Sequence, residues 1–392
     1  MGFKHPRAIK IAGAGPAGLT AAICLAKAGH PVELFEAKTC VGGRFIGDFQ
    51  VIENAGFQED VIQMLDHMGI QTNFFFKPVS EAVFYDHHLR PKQVKSQQPF
   101  GYFILRGSEN ESLDMGLLAQ ARDAGAEICF GRRMKKEAVD LVATGPAVAD
   151  GLAKEMTFST GLPDTVSVLF DMNVSPGGYS YLFVLDGRAT FGCAITRDFD
   201  GIKTCFERAL ERFQYIAPFS IHDPKYGYSY MNFCLKSSAV DRKNTFIGEA
   251  GGFQDYLFGL GIRYAMKTGY AAAQSILQHK NYDTLWKKEV GQAQETSLVN
   301  RYLYEAGGNR GLSSFVKRAG RGDLQTYLKK WHRPAPWKRL LLPWIKRFWK
   351  TETRCFHRLP EHWCREKPSA SAQTPLGPEM GESGPSKIVA VK

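Results

Sequence analysis

Six residues near the start of the chain, Gly13-Ala14-Gly15-Pro16-Ala17-Gly18, restrict its fold more than any other feature. They follow a short apolar run, residues 8–12, and open a segment, 16–28, whose apolar residues recur at helical spacing until Gly29 offers a C-cap. A second apolar run, 32–36, ends on Glu36. Each glycine has a separate task in such a strand–turn–helix. Gly13 permits the tight turn, Gly15 lets the backbone approach a pyrophosphate, and Gly18 lets the helix pack close to the strand. The helix start then offers unpaired N–H groups to phosphate oxygens. The Glu36 carboxylate suits a ribose 2′-hydroxyl and would repel a 2′-phosphate. A bound dinucleotide is therefore predicted, held by Gly13, Ala14, Gly15, Pro16, Ala17, Gly18 and Glu36. Arg44, after Val41-Gly42-Gly43, is expected to reach the phosphates as a planar donor fork.

The rest of the chain reads as α/β. A helix is predicted from about residue 112 to 124, strands at 126–130 and 139–145, and a long small-residue helix over 261–278. Between them, 163–234 alternates in strand fashion, with Asp186-Gly187 as a two-residue hairpin turn. With 392 residues, 44% apolar and 23% charged, a sizeable core is expected and wholesale disorder is excluded. No apolar run approaches the roughly 18–20 residues of a spanning helix. The first strand begins almost at once, which leaves no room for a secretory leader, and the sparse cysteines fit reduced thiols; a cytoplasmic location is expected.

Far downstream lies FIGEAGGFQDYLFGLGIRYAMKTGYAAA, residues 246–273. Together with the first turn, this segment resembles the geranylgeranyl-reductase branch of the flavoprotein family that also contains the p-hydroxybenzoate-hydroxylase-type monooxygenases. The resemblance spans roughly residues 7–290 and is specific at its two ends. It implies a Rossmann-like FAD-binding domain, discontinuous in sequence, with a β-rich substrate domain and a helical C-terminal region. The expected boundaries are 1–75, 100–155 and 235–290 for the FAD domain, and 76–99 and 156–234 for the substrate domain. A basic helical region over 291–366 and a disordered tail over 367–392 follow. Gly248, Ala250, Gly252, Phe253, Gly259, Gly261 and Ile262 match the family's second motif, while Glu249 stands for its aspartate and Tyr256 for its proline. The resemblance places Glu249 on the flavin's ribityl chain and puts Gly259, Gly261 and Ile262 at a helix start facing the ring, where a positive helix end favours the anionic reduced flavin. It also brings Arg106 toward the FAD.

On the substrate side, residues 176–184 resemble a family motif that lines the ligand cavity. Tyr179, Tyr181 and Phe183 fall on one face of a strand, an apolar wall with polar tips; Tyr256 is a further candidate. Residues 143–146 lack the Asp-Gly and serine signature of the hydroxylases. No residue can be named as the catalytic proton donor from the sequence.

The charge of +11 is confined to one region: residues 310–366 carry 15 Lys+Arg against 4 Asp+Glu, leaving 35 of each elsewhere. Five of the six tryptophans lie there too. In residues 334–350, Trp337, Leu341, Trp344, Ile345 and Phe348 fit one helical face, with Lys338, Arg339, Lys346, Arg347 and Lys350 around it. Pro343 is expected to break the run into two short amphipathic pieces. Such a region suits an anionic membrane surface rather than nucleic acid. Cys355, His357, His362 and Cys364 are candidate metal ligands.

These readings converge on an FAD-dependent oxidoreductase that reduces carbon–carbon double bonds of an isoprenoid-like lipophilic substrate, peripheral on a membrane. Its electrons would come from transiently bound NAD(P)H or a separate donor protein. The alternatives are a flavin-dependent monooxygenase or halogenase, and a non-catalytic prenyl-lipid-binding protein on the same fold.

Overall fold

The computed structural model describes residues 7–349. The chain begins β1 (Ile9–Ala12), α1 (Pro16–Lys27), β2 (Val32–Phe35), β3 (Phe49–Glu53), α2 (Val61–Met68), β4 (Phe76–Val79), β5 (Glu81–Asp86), β6 (Pro91–Lys95) and β7 (Gly101–Leu105). It continues α3 (Leu113–Asp123), β8 (Glu127–Cys129), β9 (Leu141–Val142), β10 (Gly151–Ser159), β11 (Thr165–Phe170), β12 (Tyr179–Leu185), β13 (Arg188–Ile195) and α4 (Ile202–Ile216). The last part is β14 (His222–Met231), β15 (Val240–Asp241), β16 (Asn244–Phe246), α5 (Ile262–Leu277), α6 (Tyr282–Trp286), α7 (Gln292–Ala319), α8 (Leu324–His332) and α9 (Pro336–Phe348).

Three sheets organise these elements. The first has the order β15-β16-β9-β1-β2-β8, parallel except at the β15–β16 edge. Its strands β15 and β16 come from residue 240 onward, far along the chain from β9, so the domain is discontinuous in sequence, as predicted. Helices α1, α3 and α5 cover it with an alanine- and leucine-rich core. The small residues predicted for α1 and α5 let the two helices touch backbone to side chain: a Cβ on Gly269 would lie 2.2 Å from the Ala17 carbonyl oxygen.

The second sheet is larger, β14-β10-β13-β12-β11-β5-β6, and mostly antiparallel. The Asp186-Gly187 turn joins β12 to β13, both residues at positive φ (51° and 74°), as a two-residue hairpin of this twist requires. One face buries Leu182, Val184, Phe191 and Cys193 against α4. The other face is turned to the first domain. A small sheet, β3-β7-β4, bridges the two. The expected boundary at 155 falls inside β10, which belongs to the large sheet from Gly151 on, and β4 lies in the bridging sheet. The helix α4 within the β-rich stretch had not been predicted.

The C-terminal helices close over one end. Pro343 does not divide the basic segment: α9 runs through it. The ring removes one backbone hydrogen bond, yet burial of Lys338 and Leu342 before it and Ile345 after it holds both halves in line. The expected apolar face is split as a result. Ile345 turns inward, while Trp337, Leu340, Trp344 and Phe348 remain 49%, 81%, 45% and 59% exposed. Lys338, expected among the surface charges, is buried with its ammonium donating to the Trp331 and Arg333 carbonyls. Burial pushes its pKa down to about 8. No helix among the described residues is long and apolar enough to cross a membrane.

Candidate functional site

Between the two larger sheets lies a cavity of about 450 Å³. Two helix starts open into it. Gly15 N-caps α1 and Gly261 N-caps α5, and neither helix has a side-chain cap, so the backbone of both first turns borders the cavity. The three glycines of the first turn stand in three different surroundings. Gly13 sits at φ 104°, and a Cβ there would lie 2.3 Å from the Ala143 carbonyl oxygen. A Cβ on Gly18 would lie 2.0 Å from the Gly13 oxygen, so α1 packs against the strand through the missing side chain. At Gly15 nothing lies within 4 Å: that position borders open space, where a phosphate would be met by backbone alone.

Around this cavity stand Gly13, Ala14, Gly15, Pro16, Ala17, Glu36, Arg44, Arg106, Glu249, Gly259, Gly261 and Ile262. Gly18 lies behind them as a packing residue. The carboxylate of Glu36 borders the cavity and also accepts from the backbone N–H groups of Ala14 and Lys38, both at 2.9 Å, so it fixes the turn whose ligand it was expected to meet. Arg44 approaches Glu249 at 3.6 Å across the cavity wall. Arg106 is buried in a two-pronged pair with Asp114 (2.8 and 2.9 Å) and stacks on Phe45 at 3.9 Å. The donor set fits a dinucleotide carrying a flavin: glycine backbone and helix ends for phosphates, then a second helix start further along.

The far wall is the inner face of the large sheet. Register places Tyr179 opposite Ala194, Tyr181 opposite Gly192, and Phe183 opposite Thr190, so β12 contributes the aromatic side chains and β13 small ones. Tyr179, Tyr181 and Phe183 line the cavity. Tyr256 does not. It is 1% exposed in the cluster beneath α7 and α9, its hydroxyl donating to the Gly252 carbonyl and accepting from Gln294. The motif alignment placed it by sequence position, but the turn after Asp255 directs its ring away from the cavity.

Sequence reasoning missed the acids. Glu155 on β10 lines the cavity at 4% exposure, and its Oε1 accepts from the Tyr181 hydroxyl at 2.5 Å while Oε2 accepts from Ser229. Burial, reinforced by the Asp48 charge, pushes the Glu155 carboxyl up to about 7. Asp48, itself buried, is raised by the same desolvation. Tyr179, by contrast, has its hydroxyl committed to the Phe258 carbonyl at 2.7 Å. The alternation along β10 was a possible signal for Glu155, because an acid on the inward face of a buried strand stands out. The metal candidates Cys355, His357, His362 and Cys364 lie outside the described residues, as does Lys350; among the described residues no three His, Cys, Asp or Glu side chains are grouped to hold a metal.

Comparison with known proteins agrees with this architecture. An NAD(P)-binding Rossmann-like domain family matches residues 11–51. Among curated proteins, the thiamine thiazole synthase of Pyrococcus horikoshii is 36% identical over 90 residues, 22% of this chain and 36% of that protein. The chain thus covers about a third of that relative's length. A solved geranylgeranyl bacteriochlorophyll reductase-like protein of Thermoplasma acidophilum superposes with a TM-score of 0.66 over 87% of this chain and 96% of that one, at 18% identity. The flavin-dependent brominase Bmp2 superposes with a TM-score of 0.58 over 83% of this chain and 92% of its own, at 16% identity. The fold is the one these two solved proteins share.

Proposed function

We propose that this protein is an FAD-dependent oxidoreductase that reduces carbon–carbon double bonds of a lipophilic, isoprenoid-like substrate. One observation carries the reading: a single cavity joins the glycine turn of α1, the start of α5, and a wall of Tyr179, Tyr181 and Phe183. The phosphate end offers backbone donors at the glycine turn with Arg44 beside them, which suits the adenosine pyrophosphate; the aromatic end is apolar with few polar tips, which suits a hydrocarbon chain. The residues' part in the chemistry is to orient the chain, keep water from it and supply a proton to an alkene that has no carbonyl to absorb charge. Electrons would arrive through the flavin from NAD(P)H or a separate donor protein.

The test is direct. The full chain, purified, should show the visible spectrum of bound flavin and, once reduced anaerobically, should add two hydrogens per double bond to a polyprenyl alcohol, read by mass spectrometry. Colourless protein that does not take up added FAD would refute the reading. Rapid substrate-dependent oxygen uptake would replace it with a monooxygenase or halogenase, and lipid binding without flavin would replace it with a lipid carrier.

We also propose that α9 meets an anionic membrane surface, where such a substrate would reside. The exposed Trp337, Leu340, Trp344 and Phe348 form one stripe at helical spacing, and the exposed Arg339, Lys346 and Arg347 flank it. Trp337→Ser with Leu340→Ser should lower binding to phosphatidylserine vesicles ~10-fold or more, given roughly 1.5–3 kcal/mol for each large apolar side chain withdrawn from water. The thermal midpoint should hold, because both residues face solvent. Unchanged vesicle binding would remove α9 from this role.

A further inference from the structure

The sheet that forms the far wall is arranged to bring one phenol to one buried carboxyl. Tyr181, Gly192 and Glu155 stand side by side on three neighbouring strands, β12, β13 and β10, in a single row of the ladder. Residues in register point to the same face, so a side chain at the middle position would separate the outer two. Glycine is there instead. A Cβ on Gly192 would lie 2.3 Å from the Tyr181 ring; the ring crosses over this gap and its hydroxyl reaches Glu155 Oε1 at 2.5 Å. On the other side of Glu155 the row ends in a second glycine, Gly227 of β14. Tyr181, Glu155 and Ser229 all line the cavity. Of the other tyrosines proposed for the substrate side, Tyr179 is bonded to the Phe258 carbonyl and Tyr256 is outside the cavity.

We propose that Tyr181 is the proton donor of the reduction and that Glu155 is the positioning residue that aims and replenishes its hydroxyl. The inference rests on the oxidoreductase reading above. When Glu155 is ionised, the Tyr181 hydroxyl donates to it and its hydrogen points into the sheet. When Glu155 holds a proton, the carboxyl donates to the phenolic oxygen and the phenolic hydrogen is released toward the cavity. The π bond then breaks as one of its carbons accepts a hydride, whose two electrons come from a nicotinamide-class donor by way of the flavin. The neighbouring carbon takes the Tyr181 proton, the phenolate takes the Glu155 proton, and water reprotonates the carboxylate after the product leaves. The substrate gains two hydrogens and charge balances.

The groups facing Glu155 decide how it titrates. Asp48, before β3, raises its proton affinity; Arg44, and the hydrogen bonds from Ser229 and Tyr181, lower it; the flanking positions on β13 and β14 are glycines and add no charge. Burial outweighs the lowering groups, so both states of Glu155 are populated near neutrality. The proton-delivering state is the one present at lower pH.

The experiment uses the full chain with and without FAD. In pH-difference infrared spectra, wild type should show a carboxyl C=O band titrating near neutrality; Glu155→Gln should abolish it and Tyr181→Phe should displace it, whether or not FAD is bound. With the flavin reduced by dithionite and a four-isoprene polyprenyl alcohol in detergent micelles as probe, wild-type reduction should fall as pH rises through neutrality. Tyr181→Phe should be ~100-fold slower or worse, the size expected of a lost general acid, and Glu155→Gln should lose the pH dependence. Both variants should keep the wild-type visible flavin spectrum. If no carboxyl titrates in that range, or if Tyr181→Phe retains the wild-type rate and pH profile, the assignment is overturned while the oxidoreductase reading stands. Wild-type protein that holds no flavin, or holds it and leaves the probe unreduced, overturns that reading and the donor role with it. Tyr181→Phe carries the test alone if Glu155→Gln does not fold.

Discussion

The two ends of the cavity are built from different materials. At the α1 end the turn that would face a phosphate is backbone, Gly13, Gly15 and a helix start, with the Glu36 and Arg44 side chains beside it. At the sheet end the groups are side chains, with Glu155, Tyr181, Ser229 and Asp48 joined by hydrogen bonds and shared burial. Backbone contacts do not titrate and tolerate no added atom where chains touch. A side-chain site tolerates isosteric replacement and responds to pH. Steric change should therefore damage the first end most, and protonation the second.

The largest effect should come from Gly18→Val. The new Cβ would start 2.0 Å from the Gly13 carbonyl oxygen, which is backbone and cannot swing aside, so α1 must shift from β1. A loss of ~3 kcal/mol or more, in the overpacking range, and loss of FAD retention are expected. Urea unfolding and the visible spectrum would measure them. A variant of wild-type stability that still binds flavin would show that the turn is less rigid than its contacts imply.

Next is pH. Glu155 is held near 7 against its ordinary 4.5, so the folded state binds a proton that the unfolded chain releases between those values. Stability must then fall as pH rises through this window and be fully present below it. A single fully buried group with this displacement accounts for roughly 3 kcal/mol at most. Comparing urea midpoints at pH 5 and pH 8 should show wild type losing stability and Glu155→Gln losing distinctly less. Equal slopes would mean that Glu155 is ionised in the fold.

This contrast also explains what could be read from the sequence. The phosphate turn lies within six consecutive residues, and local chemistry specifies it completely. The acid–phenol pair joins residues 26 apart in the chain across an intervening glycine, and only strand register brings them together. Tyr181 was visible as part of a strand face, but its partner was not, because Glu155 lay where one domain was expected to end. Helix α4 shows a weaker limit. Ile202, Cys205, Phe206, Ala209 and Phe213 have helical spacing, yet they sit in a stretch whose flanks read as strands. Tyr256 and Pro343 were misplaced for a common reason: a local rule was applied where tertiary packing decides.

Gly192→Ala should be intermediate. The added methyl meets the Tyr181 ring at 2.3 Å, but an aromatic side chain can rotate where a carbonyl cannot. The ring should swing off the row, with a cost of ~1–3 kcal/mol and flavin binding retained. The telling readout is the carboxyl titration of Glu155, which should move because one hydrogen bond to it is gone. If Gly192→Ala instead expels FAD, the two ends of the cavity are not separable.

Tyr179→Phe should have the smallest effect and draws the sharpest line within the sheet end. Tyr179 and Tyr181 are neighbours on one strand face, their rings 6.0 Å apart, the first half-buried and the second buried, and both are raised in pKa. Their hydroxyls nevertheless do different things. That of Tyr179 closes a hydrogen bond to the Phe258 carbonyl, tying β12 to the loop before α5; that of Tyr181 meets an ionisable carboxyl. Removing the Tyr179 oxygen deletes one part-buried hydrogen bond, for a cost of ~0.5–1.5 kcal/mol, measurable as a lowered urea midpoint. It should leave the pH profile of turnover and the Glu155 titration unmoved, since neither proton passes through Phe258. A Tyr179→Phe protein with an altered pH profile would mean that the wall's hydroxyls act as one network, and the division of labour between its two tyrosines would have to be abandoned.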